Sequence, residues 1–167
     1  EIIHINVRGR ENPFLEEKVI TSDTPITSLN FLLGDVSLVT GDKKGGVNIW
    51  MCVRDDETSS GWSLKKVHTV KPHQSNITSI TSSIRNKCFL TAASDGTIHL
   101  KHATSEQTLL YLKSDTMPTA IAYSPKADGI LVASTAGRLT HWKISNPHPE
   151  TTLKTLFGKV WYEGYEG

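Results

Sequence analysis

Apolar positions in this chain do not recur at the three- and four-residue steps of a helix. No stretch keeps them at i, i+3, i+4 and i+7 for three turns. What recurs is a short run of Val, Ile, Leu and Thr, closed by Gly, Asp, Asn or Pro. Many short strands punctuated by turn signals predict an all-β chain.

The strands also recur as groups. Residues 26–31 (ITSLNF) return as 77–82 (ITSITS) and, more loosely, as 118–125 (PTAIAYSP). An apolar run follows each, at 37–41, 88–93 and 130–134. Each run meets a glycine turn, Lys44-Gly45-Gly46, Ser94-Asp95-Gly96 or Thr135-Ala136-Gly137, and then a third strand at 47–50, 97–100 or 139–142. A fourth strand is expected at 64–70, 108–112 and 152–160. The step from Ile26 to Ile77 is 51 residues and from Ile77 to Pro118 is 41, and the same two steps lead from Trp50 to Lys101 and on to Trp142. The extra ten residues of the first step are assigned to the polar stretch 55–62, read as a long loop. Ahead of these units, 2–7 and 14–21 read as third and fourth strands around a turn at 9–13. The expected divisions are a partial unit at 1–23, units at 24–71, 72–115 and 116–160, and a junction at 161–167.

A unit of about 40 residues with four strands is a β-propeller blade. The count is about three and a half blades. A ring must close or leave apolar blade faces open. Both a small closed ring and a half-ring of a larger propeller satisfy the count. The half-ring leaves room for a homodimer of half-propellers, two copies pairing face to face to make a seven- or eight-bladed assembly.

The units resemble WD40 repeats. That family places a Gly-His pair before the first strand, Ser or Thr in the second, Asp in the following turn and Trp-Asp at the end of the third. The resemblance maps structural roles onto His73, Thr91 and Asp95 of the middle unit, with Lys101 in place of Trp. The first unit keeps Thr40 and Trp50, with Lys44 at the Asp position. The last keeps Trp142, with Ala136 at the Asp position. Buried polar groups of this kind hydrogen-bond one another and fix blade geometry.

Composition narrows the function. Lys plus Arg is 18 against 17 for Asp plus Glu, so electrostatics give no reason to expect a nucleic-acid partner. No apolar run approaches the roughly 18 to 20 residues of a membrane helix, and residues 1–20 carry charges where a signal sequence would be apolar. Glu1 is not a start residue, which points to a piece of a longer chain. Cys52 and Cys88 fit no metal-ligand spacing and read as two thiols in strands, with a single bridge as the alternative.

No catalytic set is legible. There is no GxSxG, P-loop or GxGxxG pattern. Gly41-Asp42-Lys43-Lys44-Gly45-Gly46 has a phosphate-loop composition, but no helix follows it, so it reads as a hairpin turn. Ser94-Asp95-Gly96 reads as a tight turn in preference to a catalytic serine or acidic pair. Among seven histidines, His99 and His102 are three apart on one strand and so face opposite ways, and His141 faces away from Trp142. No metal, cofactor or catalytic residue is expected.

Residues 156–165 (LFGKVWYEGY) break the blade pattern, since aromatic and glycine density rise together. They are similar to the segment just before the permease helices in a long form of the bacterial phosphate ABC transporter permease, in which a WD40-like region is inserted after the first membrane helix. The resemblance implies a periplasmic domain of an inner-membrane protein, with Trp161, Tyr162 and Tyr165 near the membrane surface, where Trp and Tyr favour the headgroup region. It implies as partners the permease helices of the same chain, a second permease subunit, the ATPase and the periplasmic phosphate-binding protein. The domain is then a docking or regulatory platform of a phosphate importer. The alternative is a WD40 protein-interaction scaffold of a soluble complex.

Overall fold

The structure is a computed structural model that describes residues 2–6, 15–34, 37–58, 61–70, 73–126, 128–145 and 161–166. Fourteen strands form four antiparallel sheets, with no helix among the described residues. A hairpin of β1 (Ile2–Asn6) and β2 (Leu15–Ile20) comes first. The first full blade is β3 (Ile26–Phe31), β4 (Ser37–Asp42), β5 (Val47–Arg54) and β6 (Trp62–Val70). The second is β7 (Ile77–Ser82), β8 (Cys88–Ala93), β9 (Thr97–His102) and β10 (Thr108–Lys113). The third is β11 (Pro118–Tyr123), β12 (Gly129–Ser134), β13 (Leu139–Ser145) and β14 (Trp161–Glu166). In each blade the strands pair in sequence order, as a meander of hairpins gives. The chain is therefore a partial β-propeller of three WD40-like blades with a hairpin ahead of them.

The blades are the same object three times. Leu38 lies opposite Trp50, Phe89 opposite Lys101 and Ile130 opposite Trp142, so these positions are equivalent in space as well as in sequence. Each first strand carries a bulge after its first residue, and in each the following threonine spans it. Thr27 Oγ1 lies 3.4 Å from the Gly41 carbonyl oxygen, while Thr78 Oγ1 donates to the Ala92 carbonyl and Thr119 Oγ1 to the Ala133 carbonyl at 3.3 Å each.

Two apolar cores lie between the blades. Val39, Val47 and Ile49 of the first blade pack with Ile77, Ile80 and Phe89 of the second. Leu90, Ile98 and Leu100 of the second pack with Ile121, Ile130 and Val132 of the third. The middle blade is covered on both faces, so every residue of β8 is buried, and its sequence Cys-Phe-Leu-Thr-Ala-Ala shows no polar alternation. Polar bonds cross the first junction: Thr27 Oγ1 donates to the Ile77 carbonyl at 2.7 Å and Asn30 Nδ2 to the Ile80 carbonyl at 3.2 Å.

Two elements differ from the sequence expectation. The insertion of the first blade is only partly loop: β5 and β6 are 8 and 9 residues long against 6 each for β9 and β10, so part of it extends a hairpin. Backbone pairing continues beyond Trp50, with Met51, Cys52 and Val53 opposite Lys65, Leu64 and Ser63, and Arg54 opposite Trp62. The fourth strand expected at 152–160 falls outside the described residues, as does the turn at 9–13. In the third blade the fourth strand is Trp161–Glu166, placed where the sequence suggests a junction. Trp161, Tyr162 and Tyr165 sit in register opposite Ser145, Ile144 and His141. Cys52 and Cys88 are free thiols, on β5 and β8.

Candidate functional site

The polar centre of the molecule is in the second blade. His73, just ahead of β7, is buried between two threonine hydroxyls. Its Nδ1 is 2.6 Å from Thr97 Oγ1 and its Nε2 is 2.7 Å from Thr91 Oγ1. Thr97 Oγ1 donates its own proton to Asp95 Oδ1 at 2.6 Å, and the Thr97 amide donates to the same oxygen at 2.9 Å. With its proton committed to Asp95, Thr97 Oγ1 must accept from His73 Nδ1–H. His73 Nε2 then accepts from Thr91. The chain Thr91, His73, Thr97, Asp95 thus fixes one neutral tautomer.

The electrostatics agree. Burial first and then the Lys101 charge push His73 down to about 4, with Asp95 opposing both. Burial acts to raise the Asp95 carboxyl, but the hydroxyl and amide of Thr97, the Lys113 charge and the Ser75 hydroxyl outweigh it and hold the group below the usual carboxylate range. His99, opposite Thr91 on β9, stacks on His73, and Tyr111 of β10 lies tilted against its other side with centroids 4.7 Å apart.

Lys101 occupies the slot that tryptophan fills in the other two blades. It is fully buried, and its Nζ donates to Thr108 Oγ1 at 3.2 Å. The first blade keeps the aromatic version: Trp50 Nε1 donates to Thr40 Oγ1 at 2.9 Å. In the third blade Val132 stands at the position of Thr40 and Thr91, and Trp142 packs half-buried against the second core. The sequence-predicted positions thus fall into three separate blades: Thr40 with Trp50 in the first, His73 with Thr91 and Asp95 in the second, and Trp142 in the third. They do not converge on one solvent-facing site.

Burial favours the protonated form of two groups, the Cys88 thiol and the Tyr123 phenol. Burial raises the Cys88 thiol. Burial, then the neighbouring Cys88 and Asp128, pushes the Tyr123 phenol up to about 12. Among the described residues no group of three His, Cys, Asp or Glu side chains is placed to hold a metal ion. His102 lies apart from His99, its Nδ1 taking the Ser105 amide and hydroxyl at 3.3 Å. The Asp42–Gly46 turn is a hairpin turn, its lysine and glycine amides donating to Asp42 Oδ1 at 2.8 and 2.9 Å.

A surface cleft lies between the second and third blades. Lys113, Ser114, Asp115 and Thr116 form one wall, and Arg138, Thr140 and Trp142 of the β13 side form the other. Its volume is about 270 Å³, below the range of about 300–1,000 Å³ that encloses a small-molecule substrate. Two cations, one carboxylate, three hydroxyls and an indole meet there. Sequence reading missed it, because its walls come from adjacent blades and only the blade angle brings them together.

Comparison with known proteins agrees with this geometry. Residues 64–100 match the family described as WD domain, G-beta repeat. The fold is similar to the β-propeller domain of Myceliophteria thermophila Cps50 (Swd1), with 16% identity and a TM-score of 0.67 over 89% of this chain and 40% of that one. It is also similar to the computationally designed Ika4 protein, with 18% identity and a TM-score of 0.61 over 86% of this chain and 74% of that one. At these identities the likeness is one of fold, and the chain spans 40% of the Cps50 chain. No curated protein matches the sequence significantly.

Proposed function

We propose that this chain is a non-catalytic protein-interaction scaffold. The observation that carries the reading is how its titratable groups are used. His73 and Asp95 are bonded into one hydrogen-bond chain inside a blade, Cys88 and Tyr123 are held protonated, and the cleft between the second and third blades is small and polar. Such a surface suits a partner's side chain better than a substrate. With Lys113 and Arg138 flanking Trp142, the cleft favours an acidic segment.

The test is anisotropy of a labelled Glu-rich peptide against the chain and its Lys113→Glu/Arg138→Glu variant. Saturable binding that is lost in the variant supports the reading. Equal binding by both, or none by either, removes the cleft from it.

The finer reading is the periplasmic platform of a phosphate importer's permease subunit. It rests on the similarity of residues 156–165 alone. Neither the matched family nor the two similar structures bears on transport, and the scaffold reading accounts for them at least as well. The importer reading requires the flanking gene sequence to encode apolar helices of about 20 residues. A titration with millimolar phosphate then separates docking from direct sensing: absence of heat removes sensing.

A further inference from the structure

The cleft between the second and third blades is the place that a histidine fills one blade earlier. His73 and Ser114 each stand four residues ahead of a first strand. Each donates its amide to the turn glycine of the preceding blade, Gly45 or Gly96, continuing the ladder of that blade's third and fourth strands. Strand register matches Thr91 with Val132, His99 with Thr140 and Lys101 with Trp142. Counting on through the turn matches Thr97 with Arg138 and Asp95 with Ala136. In the second blade His73, Thr97, His99 and Lys101 are all buried, and the imidazole closes the space between the two threonines. In the third, Ser114, Thr140 and Trp142 are half-buried, Arg138 is exposed, and these four equivalents all line the cleft. Serine has no ring to fill the slot, and the Ser114 hydroxyl lies 3.4 Å from the Thr116 amide of its own loop.

The third blade has also exchanged an anion for a cation there. In the first blade Asp42 Oδ1 accepts the Gly46 amide at 2.9 Å. In the second, Asp95 Oδ1 accepts the amide of Thr97, the equivalent of Gly46, also at 2.9 Å. The positions of Asp42 and Asp95 carry Ser134 and Ala136 in the third blade, and the position whose amide the carboxylate holds carries Arg138. Lys113 brings a second cation from the opposite wall, where its Nζ donates to the Asp95 carbonyl at 2.5 Å.

We propose that this slot takes one glutamate side chain of a partner protein, its carboxylate beside Arg138 and its methylenes along the Trp142 indole. The inference rests on the scaffold reading above and names the group that the cleft selects. Guanidinium and ammonium groups carry donors alone, so the occupant must bring acceptors. A planar carboxylate meets a guanidinium through two parallel hydrogen bonds, and the partner's acid then stands where the first two blades hold one of their own. The Asp115 carboxylate on the cleft wall opposes entry of a second acid.

The test extends the anisotropy measurement with the labelled Glu-rich peptide to Ser114→His, which restores the ring of the second blade and keeps Lys113 and Arg138. Far-ultraviolet circular dichroism checks the fold. Ser114→His is expected to weaken binding by about tenfold or more. Ser22→His makes the same change ahead of the first blade, away from the cleft, and is expected to leave binding unchanged. A peptide with every Glu changed to Gln is expected to bind about tenfold more weakly or worse. If Ser114→His does not fold, Thr140→Phe takes its place, filling the slot from β13 with the same expected loss. Undiminished binding by the folded slot-filling variant overturns the proposal, and if Lys113→Glu/Arg138→Glu still abolishes binding, the acidic-partner reading of the cleft stands without it. An equal loss in Ser22→His, or equal binding of the Gln peptide, also overturns it. A parent chain that does not bind the Glu peptide removes the cleft from the scaffold reading and this inference with it.

Discussion

The His73 imidazole lies flat on the His99 ring, with centroids 3.8 Å apart and planes 14° apart. Two stacked imidazoles at that distance with Lys101 beside them cannot readily accommodate a further positive charge. The arrangement is stable while His73 is neutral, and its hydrogen bonds to Thr91 and Thr97 specify that neutral form.

Stability is therefore expected to fall on acidification through a defined window. His73 has a folded value of about 4 against 6.5 unfolded, so above 6.5 both states are neutral and its contribution is whole. Below 6.5 the unfolded chain takes up the proton and the folded chain does not, so stability falls until pH reaches about 4. The loss across the window is on the order of 3 kcal/mol. Urea titrations between pH 4 and 7 measure it. His73→Gln should be less stable at neutral pH and show a flatter slope; an unchanged slope refutes the assignment.

Replacing Lys101 by methionine removes the cation that lowers His73 while keeping a chain of similar length in the slot. The His73 titration, followed by imidazole NMR, should move upward from about 4. Stability at pH 7 should hold or rise by about 1 kcal/mol, since a buried charge is exchanged for apolar volume. A downward shift excludes the Coulombic role assigned to Lys101.

Turn glycines separate two costs. Gly45 has φ of +87° and an added Cβ would lie 2.4 Å from the His73 carbonyl oxygen, so Gly45→Ala meets both strain and backbone collision. Gly137 has φ of +73° with open space around it, so Gly137→Ala meets strain alone. Denaturant melts should show a loss of about 1 kcal/mol at Gly137 and more than about 3 kcal/mol at Gly45. Equal losses would mean that the junction around Gly45 yields freely.

Most of the blade plan was legible because it is periodic. The steps that carry Trp50 to Lys101 and Trp142 were read from spacing, and the registers opposite Leu38, Phe89 and Ile130 repeat them. The faces of His99 and His102 were legible for the same reason. That His99 stacks on His73 was not, because alternation gives a face without saying which connecting segment covers it. The cleft between Lys113 and Arg138 was hidden similarly. The insertion was misdivided because strand length depends on cross-strand pairing: Trp62 opposite Arg54 extends a ladder that the polar composition of 55–62 concealed. The aromatic run from Trp161 has strand propensity and interfacial character together, and composition does not choose between them.

The Thr40–Trp50 bond offers the sharpest test of whether these side chains hold the blade. Thr40 is buried on β4 and its hydroxyl receives the Trp50 indole proton at 2.9 Å across the ladder to β5. Thr40→Val and Trp50→Phe each break the bond while keeping most of the volume. Each should destabilise, and their double-mutant cycle should return a coupling of about 1 kcal/mol, the net worth of a hydrogen bond whose loss leaves a buried group unpaired. The third blade is the internal control. Val132 occupies the threonine position there and offers no hydroxyl, so Val132→Ala with Trp142→Phe should show packing losses that couple by less. Equal coupling in the two blades would mean that the first blade is held by apolar contact, with the indole bond incidental.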